Sequence, residues 1–235
     1  MRAIILAGGK GTRLEPYTTV LPKPLMPIGD MPILEVMIRQ LKHFGFERIT
    51  LAVGHLGGLI EAFCGDGQQF GVKIDYSRED EPLGTAGPLT LIDDFDDDFL
   101  IMNGDLLTDL DYSDMVAFHK KANAFATLGL YQKRVKVDLG VIKADKSGEV
   151  KDYIEKPTMT YEVSMGIYVF NPHVQEHIPR GERLDLPDLI KLLMNKNKTI
   201  MGYRFYGNWL DIGRYEDYQE AVELFKEQSE EFLYK

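Results

Sequence analysis

Ala3-Ile4-Ile5-Leu6-Ala7-Gly8-Gly9-Lys10-Gly11-Thr12-Arg13-Leu14, near the start of the chain, joins an unbroken apolar run to a glycine-rich turn. The unbroken apolar run from Ala3 to Ala7 fits a strand buried on both faces, as in parallel sheets, and not a half-solvated strand that alternates. The glycines that follow let backbone N–H groups approach and encircle an anion, and Lys10 and Arg13 add full positive charges in the same turn. Two familiar glycine motifs are approached and neither is met. A Walker A loop needs Ser or Thr after its lysine, where Gly11 stands; a dinucleotide fingerprint needs a third glycine where Leu14 stands. The physics still points to phosphate at a strand's carboxyl end, where ligands of open α/β sheets bind.

Outward from this turn, Leu34, Met37, Ile38, Leu41 and Phe44 recur at helical spacing from Ile33, and Gly45 stops the pattern. Arg48 to Val53 reads as a buried strand, Leu59 to Phe63 as a short helix, and Lys73 to Tyr76 as a strand. Gly87 to Ile92 reads as helical and Phe99 to Met102 as a strand. This alternation predicts an α/β fold, a Rossmann-like three-layer sandwich with a mostly parallel mixed sheet. The second half adds strand candidates over Phe125 to Tyr131, Leu139 to Lys143, Glu149 to Ile154 and Val163 to Phe170, with Lys146-Ser147-Gly148 as a turn. Asp185 to Met194 and Tyr215 to Glu227 read as helices. With no linker, repeat or hexapeptide period, a single domain over 1–235 without a C-terminal β-helix is expected.

Composition narrows the function. The 235 residues carry 27 Lys+Arg against 37 Asp+Glu, a formal net charge of -10, with no basic stripe of the kind nucleic acids require. Cys64 is the only cysteine, which excludes an internal disulfide or a cysteine-based zinc cluster and suits a reducing cytoplasm. The apolar stretch Ala3 to Ala7 is too short for a membrane span, so no membrane partner is expected. The acidic run Asp93 to Asp98 reads as a solvated loop.

Further residues join the glycine turn. Pro22-Lys23-Pro24 braces one lysine between two fixed backbones. Asn103-Gly104-Asp105 follows a buried-looking strand, so Asp105 should lie at the sheet edge beside the anion site. A carboxylate there repels phosphate unless a cation bridges them, and Mg²⁺ takes one or two carboxylates plus phosphate oxygens. Asp211, in Trp209-Leu210-Asp211-Ile212-Gly213, offers a second carboxylate. Glu155-Lys156-Pro157 closes a strand with an acid and a base, fitting either a surface ion pair or a site for sugar hydroxyls and a phosphate. His173-Val174-Gln175-Glu176-His177 matches a zinc-protease pattern, but Pro172 and Pro179 leave too short a helix for a buried metal site. His43, His55 and His119 lack evident triad partners.

Together these segments resemble the sugar-1-phosphate nucleotidylyltransferases, over nearly the whole chain and in the right order, and most of all the mannose-1-phosphate guanylyltransferases. The resemblance implies a GT-A-like nucleotidyltransferase fold, a nucleotide-binding part at about 1–120 and a sugar-binding part at about 121–235. It implies that Arg13 and Lys23 are catalytic and that Leu6, Ala7, Gly8, Gly9, Lys10, Gly11, Thr12 and Asn103 bind nucleotide. Glu81-Pro82-Leu83-Gly84-Thr85-Ala86-Gly87-Pro88 is similar to the family's base-reading loop, which adds Glu81, Gly84, Thr85 and Gly87. Gly140, Glu155, Lys156, Ser164 and Gly166 would line the sugar phosphate, and Asp105 and Asp211 would hold Mg²⁺. The substrates implied are a nucleoside triphosphate and a sugar 1-phosphate, with GTP and mannose 1-phosphate, or a manno-configured relative, foremost. Ser164-Met165 stands where guanylyltransferase relatives usually carry Asn-Ala, which leaves the sugar open. Alternatives are a glucose-1-phosphate uridylyltransferase, a heptose-1-phosphate guanylyltransferase, and a catalytically silent regulatory paralogue. A glycosyltransferase is a further rival, through the metal-type spacing of Asp109-Leu110-Asp111. Any homodimer would use the catalytic domain itself.

Overall fold

The glycine turn is the loop after the first strand of a seven-stranded sheet that runs through the molecule. The computed structural model describes residues 1–79 and 81–234. Its strands are β1 (Arg2–Ala7), β2 (Pro27–Ile28), β3 (Met31–Pro32), β4 (Arg48–Val53), β5 (Lys73–Arg78), β6 (Phe99–Asn103) and β7 (Leu106–Thr108), followed by β8 (Ala126–Lys136), β9 (Val141–Ala144), β10 (Val150–Ile154), β11 (Thr158–Phe170), β12 (Ile200–Phe205) and β13 (Trp209–Asp211). The helices are α1 (Ile33–His43), α2 (Gly57–Cys64), α3 (Tyr112–Lys121), α4 (Leu186–Asn195) and α5 (Tyr215–Leu233).

The large sheet has the order β12-β8-β11-β6-β1-β4-β5. All neighbours pair parallel except β11, which is antiparallel to both β6 and β8. Sequence patterning explains the layers. Ala3, Ile5 and Ala7 of β1 pack on one face with Leu34, Met37, Ile38 and Leu41 of α1 and Phe225 of α5. Ile4 faces the other way, with Leu186, Leu189 and Leu193 of α4 and Leu89 from the 3-10 turn Gly87–Leu91. A strand clothed on both sides has no polar position to spare, which is why its run is unbroken.

Several boundaries differ from the expected ones. The segment Gly87 to Ile92 is 3-10 and not α-helical, and β11 starts at Thr158, five residues before the expected Val163. The zinc-like segment is a 3-10 turn, Pro172–His177, in which exposed His173 Nδ1 lies 2.8 Å from Glu176 Oε1. The acidic run is a loop, but Asp94 is tied down by Arg2 at 2.9 Å and Arg48 at 2.7 Å. Helix α3 and strand β12 were not anticipated. Asp111 is the N-cap of α3, accepting from Ser113 N at 2.8 Å and Asp114 N at 3.0 Å, and Asp109 accepts from Asn208 N at 2.8 Å. The spacing that suggested a metal pair therefore serves a cap and a loop tie. On the same helix His119 is buried, with Nδ1 2.8 Å from Thr127 Oγ1. Burial pushes its imidazole below the ordinary range, against the pull of Asp98. Among the described residues, no helix is long and apolar enough to cross a membrane.

Candidate active site

At the carboxyl edge of β1, β4 and β6 the chain turns back on itself closely. Gly104 N donates to Leu6 O at 2.9 Å, and a Cβ on Gly104 would lie 2.6 Å from that oxygen, so only glycine fits after Asn103. This contact joins the phosphate-type turn of β1 to the loop carrying Asp105. A cavity of about 400 Å³ results, lined by Leu6, Ala7, Gly9, Lys10, Gly11, Thr12, Arg13, Lys23, Pro24, Gly104 and Asp105. Nine of the expected site residues, Lys23 and Asp105 among them, thus face one space.

Lys23 lies in a 3-10 turn, Lys23–Leu25, entered through Pro22 and carrying Pro24, and its side chain is buried. Its Nζ donates to Asp105 Oδ2, while Asp105 Oδ1 is buried without a hydrogen-bond partner. Asp211 arrives from far along the chain by a short pairing. Strand β13 runs antiparallel to β7 with Asp211 opposite Leu106, and Ile212 N donates to Asp105 O at 3.0 Å. Burial, and then the charge of Asp105, raise the Asp211 carboxyl above the usual range, against the pull of Lys23 and Arg13. Two acids pushed together in this way are short of positive charge. Asp211 lines not this first cavity but a second one, of about 640 Å³, with Arg13, Lys133, Arg134, Trp209 and Arg214.

A third cavity, about 500 Å³, shares Leu6, Gly9, Lys10 and Asp105 with the first and extends to Gly8, Ala52, Gly84, Thr85 and Asn103. Its acids are Glu79 and Asp185 besides Asp105; Glu81 is exposed and outside its lining. Glu79 Oε2 accepts from Leu83 N at 2.9 Å, and its Oε1 lies against Gly8 and Gly54. Glu79, Arg183 and Asp185 were missed from the sequence. Glu79 had a signal, as the first residue after β5 at the same sheet edge; Arg183 and Asp185 had none.

The remaining expected residues are dispersed. Gly166, in a bulge of β11, packs against the Asn103 side chain, and Ser164 Oγ lies 3.0 Å from Tyr168 OH. Gly140, Glu155 and Lys156 stand outside all three cavities, on the outer arm formed by the ends of β8 and β11 with the β9–β10 hairpin. There Glu155 Oε2 accepts from Tyr153 OH at 3.0 Å. Gly87 lies behind the cleft wall, against Leu83 and Glu182 O.

The sequence profile described as nucleotidyl transferase matches residues 2–228. The chain belongs to the nucleotidyl transferase family. Among relatives of this family it is 37% identical to a UTP–glucose-1-phosphate uridylyltransferase of Synechocystis over 94% of its length, and 32% identical to a mannose-1-phosphate guanylyltransferase of Mycobacterium tuberculosis over 92%. It spans 62% of the length of each. The crystal structure of HddC from Yersinia pseudotuberculosis superposes with a TM-score of 0.73 at 26% identity, over 95% of this chain and 99% of that one. HddC has also been crystallised with GMP-PN, at the same TM-score. Members of the family with this sheet thus share the layout of the nucleotidyl transferase seen here.

Proposed function

We propose that this nucleotidyl transferase joins a nucleoside triphosphate to a sugar 1-phosphate and releases pyrophosphate, with GTP and mannose 1-phosphate, or a manno-configured sugar phosphate, as its pair. One observation carries the reading: Asp105 shares a cavity with the glycine turn and its cations, and Asp211, in the adjoining cavity with Arg13, lies near enough to Asp105 for the two charges to repel. An oxygen of the sugar phosphate attacks the α-phosphorus, the bond from that phosphorus to the β-bridging oxygen breaks, and pyrophosphate leaves with the electron pair. The attacking phosphate has a second pKa of about 6 and is already an anion at neutral pH, so no general base is required. What remains for the protein is alignment and charge neutralisation.

Arg13 and Lys10 would hold the leaving pyrophosphate, and Lys23 would guide the sugar phosphate towards the α-phosphorus. Asp105 and Asp211 fit a Mg²⁺ ion. Asp105 Oδ1 is a buried acceptor without a donor, and no group of three or more metal-ligating side chains gathers among the described residues, so phosphate and water would complete the shell. When bound, such an ion supplies positive charge that draws the two polyanions together.

Glu79 supports guanine as the base. A carboxylate accepts two parallel donors, which guanine offers as N1–H and its 2-amino group. The M. tuberculosis relative and the GMP-PN complex of HddC point the same way. Glucose 1-phosphate with UTP is the second reading, favoured by the Synechocystis relative. Pyrophosphate release over a matrix of GTP, UTP, ATP and dTTP against mannose and glucose 1-phosphates tests both. The highest kcat/KM is expected with GTP and mannose 1-phosphate. Activity with UTP but not GTP would overturn the base, and release with no pair would overturn the reaction.

A further inference from the structure

The cleft that holds Glu79 has a second wall, formed by the loop leading into α4, and the two walls are stitched together. Leu184 N donates to Leu83 O at 3.0 Å, and Leu184 O accepts from Ala86 N at 2.9 Å and Gly87 N at 3.2 Å. Thr85 N donates to Asp185 Oδ1 at 3.1 Å, and Thr85 Oγ1 accepts from Leu186 N at 2.7 Å. The approach is so close that a Cβ on Gly84 would lie 2.6 Å from Leu184 O. Gly84 also has a φ of +79°, so glycine is needed there on both counts.

Ordering two surface loops costs conformational entropy, and a packing contact alone would not need so many directed bonds. Their product is a fixed backbone position for Arg183 on the cleft that Glu79 also lines. The Arg183 guanidinium is 70% exposed, and its ion contact, to Asp185 Oδ2, is long at 3.4 Å. Among the described residues, most of its five donors have no partner and can meet a ligand.

We infer that Arg183 is a specificity-determining residue that donates to O6 and N7 of guanine, while Glu79, lining the same cleft, takes the base's N1–H and 2-amino group. The inference rests on the guanine reading above and deepens it. Arginine matches O6 and N7 as a bidentate pair. Adenine puts an amino group where guanine has O6, donor against donor. Uracil has no counterpart of N7, and its two carbonyls flank N3–H with oxygens that repel a carboxylate.

Equilibrium titration with GTP, 7-deaza-GTP and UTP in the presence of Mg²⁺, followed by the fluorescence of the single Trp209 or by calorimetry, tests this. Wild type should prefer GTP over UTP and lose affinity for 7-deaza-GTP, which lacks the N7 acceptor. Arg183→Met should weaken GTP at least about tenfold and UTP less than about threefold, and should erase the difference between GTP and 7-deaza-GTP. Arg183→Lys keeps the charge and a donor for N7 but not the rigid fork, so it should shrink that difference without erasing it. Tighter UTP than GTP binding by the wild type would overturn the guanine reading itself. If GTP is preferred but Arg183→Met weakens both nucleotides equally, or leaves both unchanged, Arg183 does not read the base while the guanine reading stands. Arg183 is exposed, so an unchanged thermal midpoint will separate these outcomes from misfolding.

Discussion

The carboxyl edge of β1 and β6 and the outer arm of β8 to β11 belong to one sheet and are built on opposite terms. At the edge, Lys23 is buried against Asp105 in a turn carrying Pro24, and the close approaches at Gly11 and Gly104 leave no room for a side chain. On the arm, Val135, Leu139, Ile142, Val150, Tyr153, Met159 and Tyr161 stand exposed, and ion pairs such as Lys143–Asp152 are open to water. Under the proposed reaction, charges whose positions do not relax are needed, and the buried edge is where they would be held. The arm carries little that must stay fixed.

This contrast can be broken in three places. The largest effect is expected at the edge: Arg13→Ala should lower turnover by about two to three orders of magnitude. Asp105→Asn should abolish Mg²⁺-dependent turnover, and by leaving Lys23 unpaired should also cost about 3 kcal/mol of stability. Pyrophosphate release and urea unfolding measure the two, and near-normal turnover in either variant would remove these residues from the chemistry. Next in size is a paired test of the two regions. Leu34→Ala, in the fully buried face of α1, should cost about 2–5 kcal/mol, whereas Tyr161→Ala on the arm should cost about 0.5 kcal/mol or less. Equal costs would mean that the arm is as firmly packed as the core.

The smallest effect is a pH dependence. The His119 pKa is lowered in the folded chain, so between its folded value and about 6.5 the unfolded chain binds a proton that the folded chain refuses. Stability should therefore fall as pH drops through this window, with a slope of up to about 1.4 kcal/mol per pH unit, and His119→Gln should flatten that slope. An unchanged slope in chemical denaturation would place the titration elsewhere.

How much was legible in the sequence follows the same division. The glycine turn could be read because its glycines, Lys10 and Arg13 are consecutive, so chemistry and spacing lie in one window. The layers could be read from β1, whose apolar run leaves no solvent face. The neighbourhood of Asp105 and Asp211 had no such local sign: it depends on a three-residue pairing, β13 on β7, between segments a hundred residues apart. The resemblance singles out Glu81, while Glu79 lines the cleft, and which of the two faces it depends on where β5 ends. Arg183 was invisible, since a surface arginine in a loop has no pattern until Leu184 and Thr85 show what holds it. Asp111 misled in the opposite sense, its helix-capping role hidden behind a spacing shared with metal motifs.

Strand β11, the one reversed strand of the large sheet, has a consequence of its own. Because it enters the sheet from the edge where its parallel neighbours leave, everything between β8 and β11 hangs over that edge as an appendage. Nature or an engineer can lengthen, trim or exchange the appendage without disturbing the register of β1, β4 and β6. The arm is thus an attachment to one edge of the sheet, outside the run of parallel strands that forms its middle.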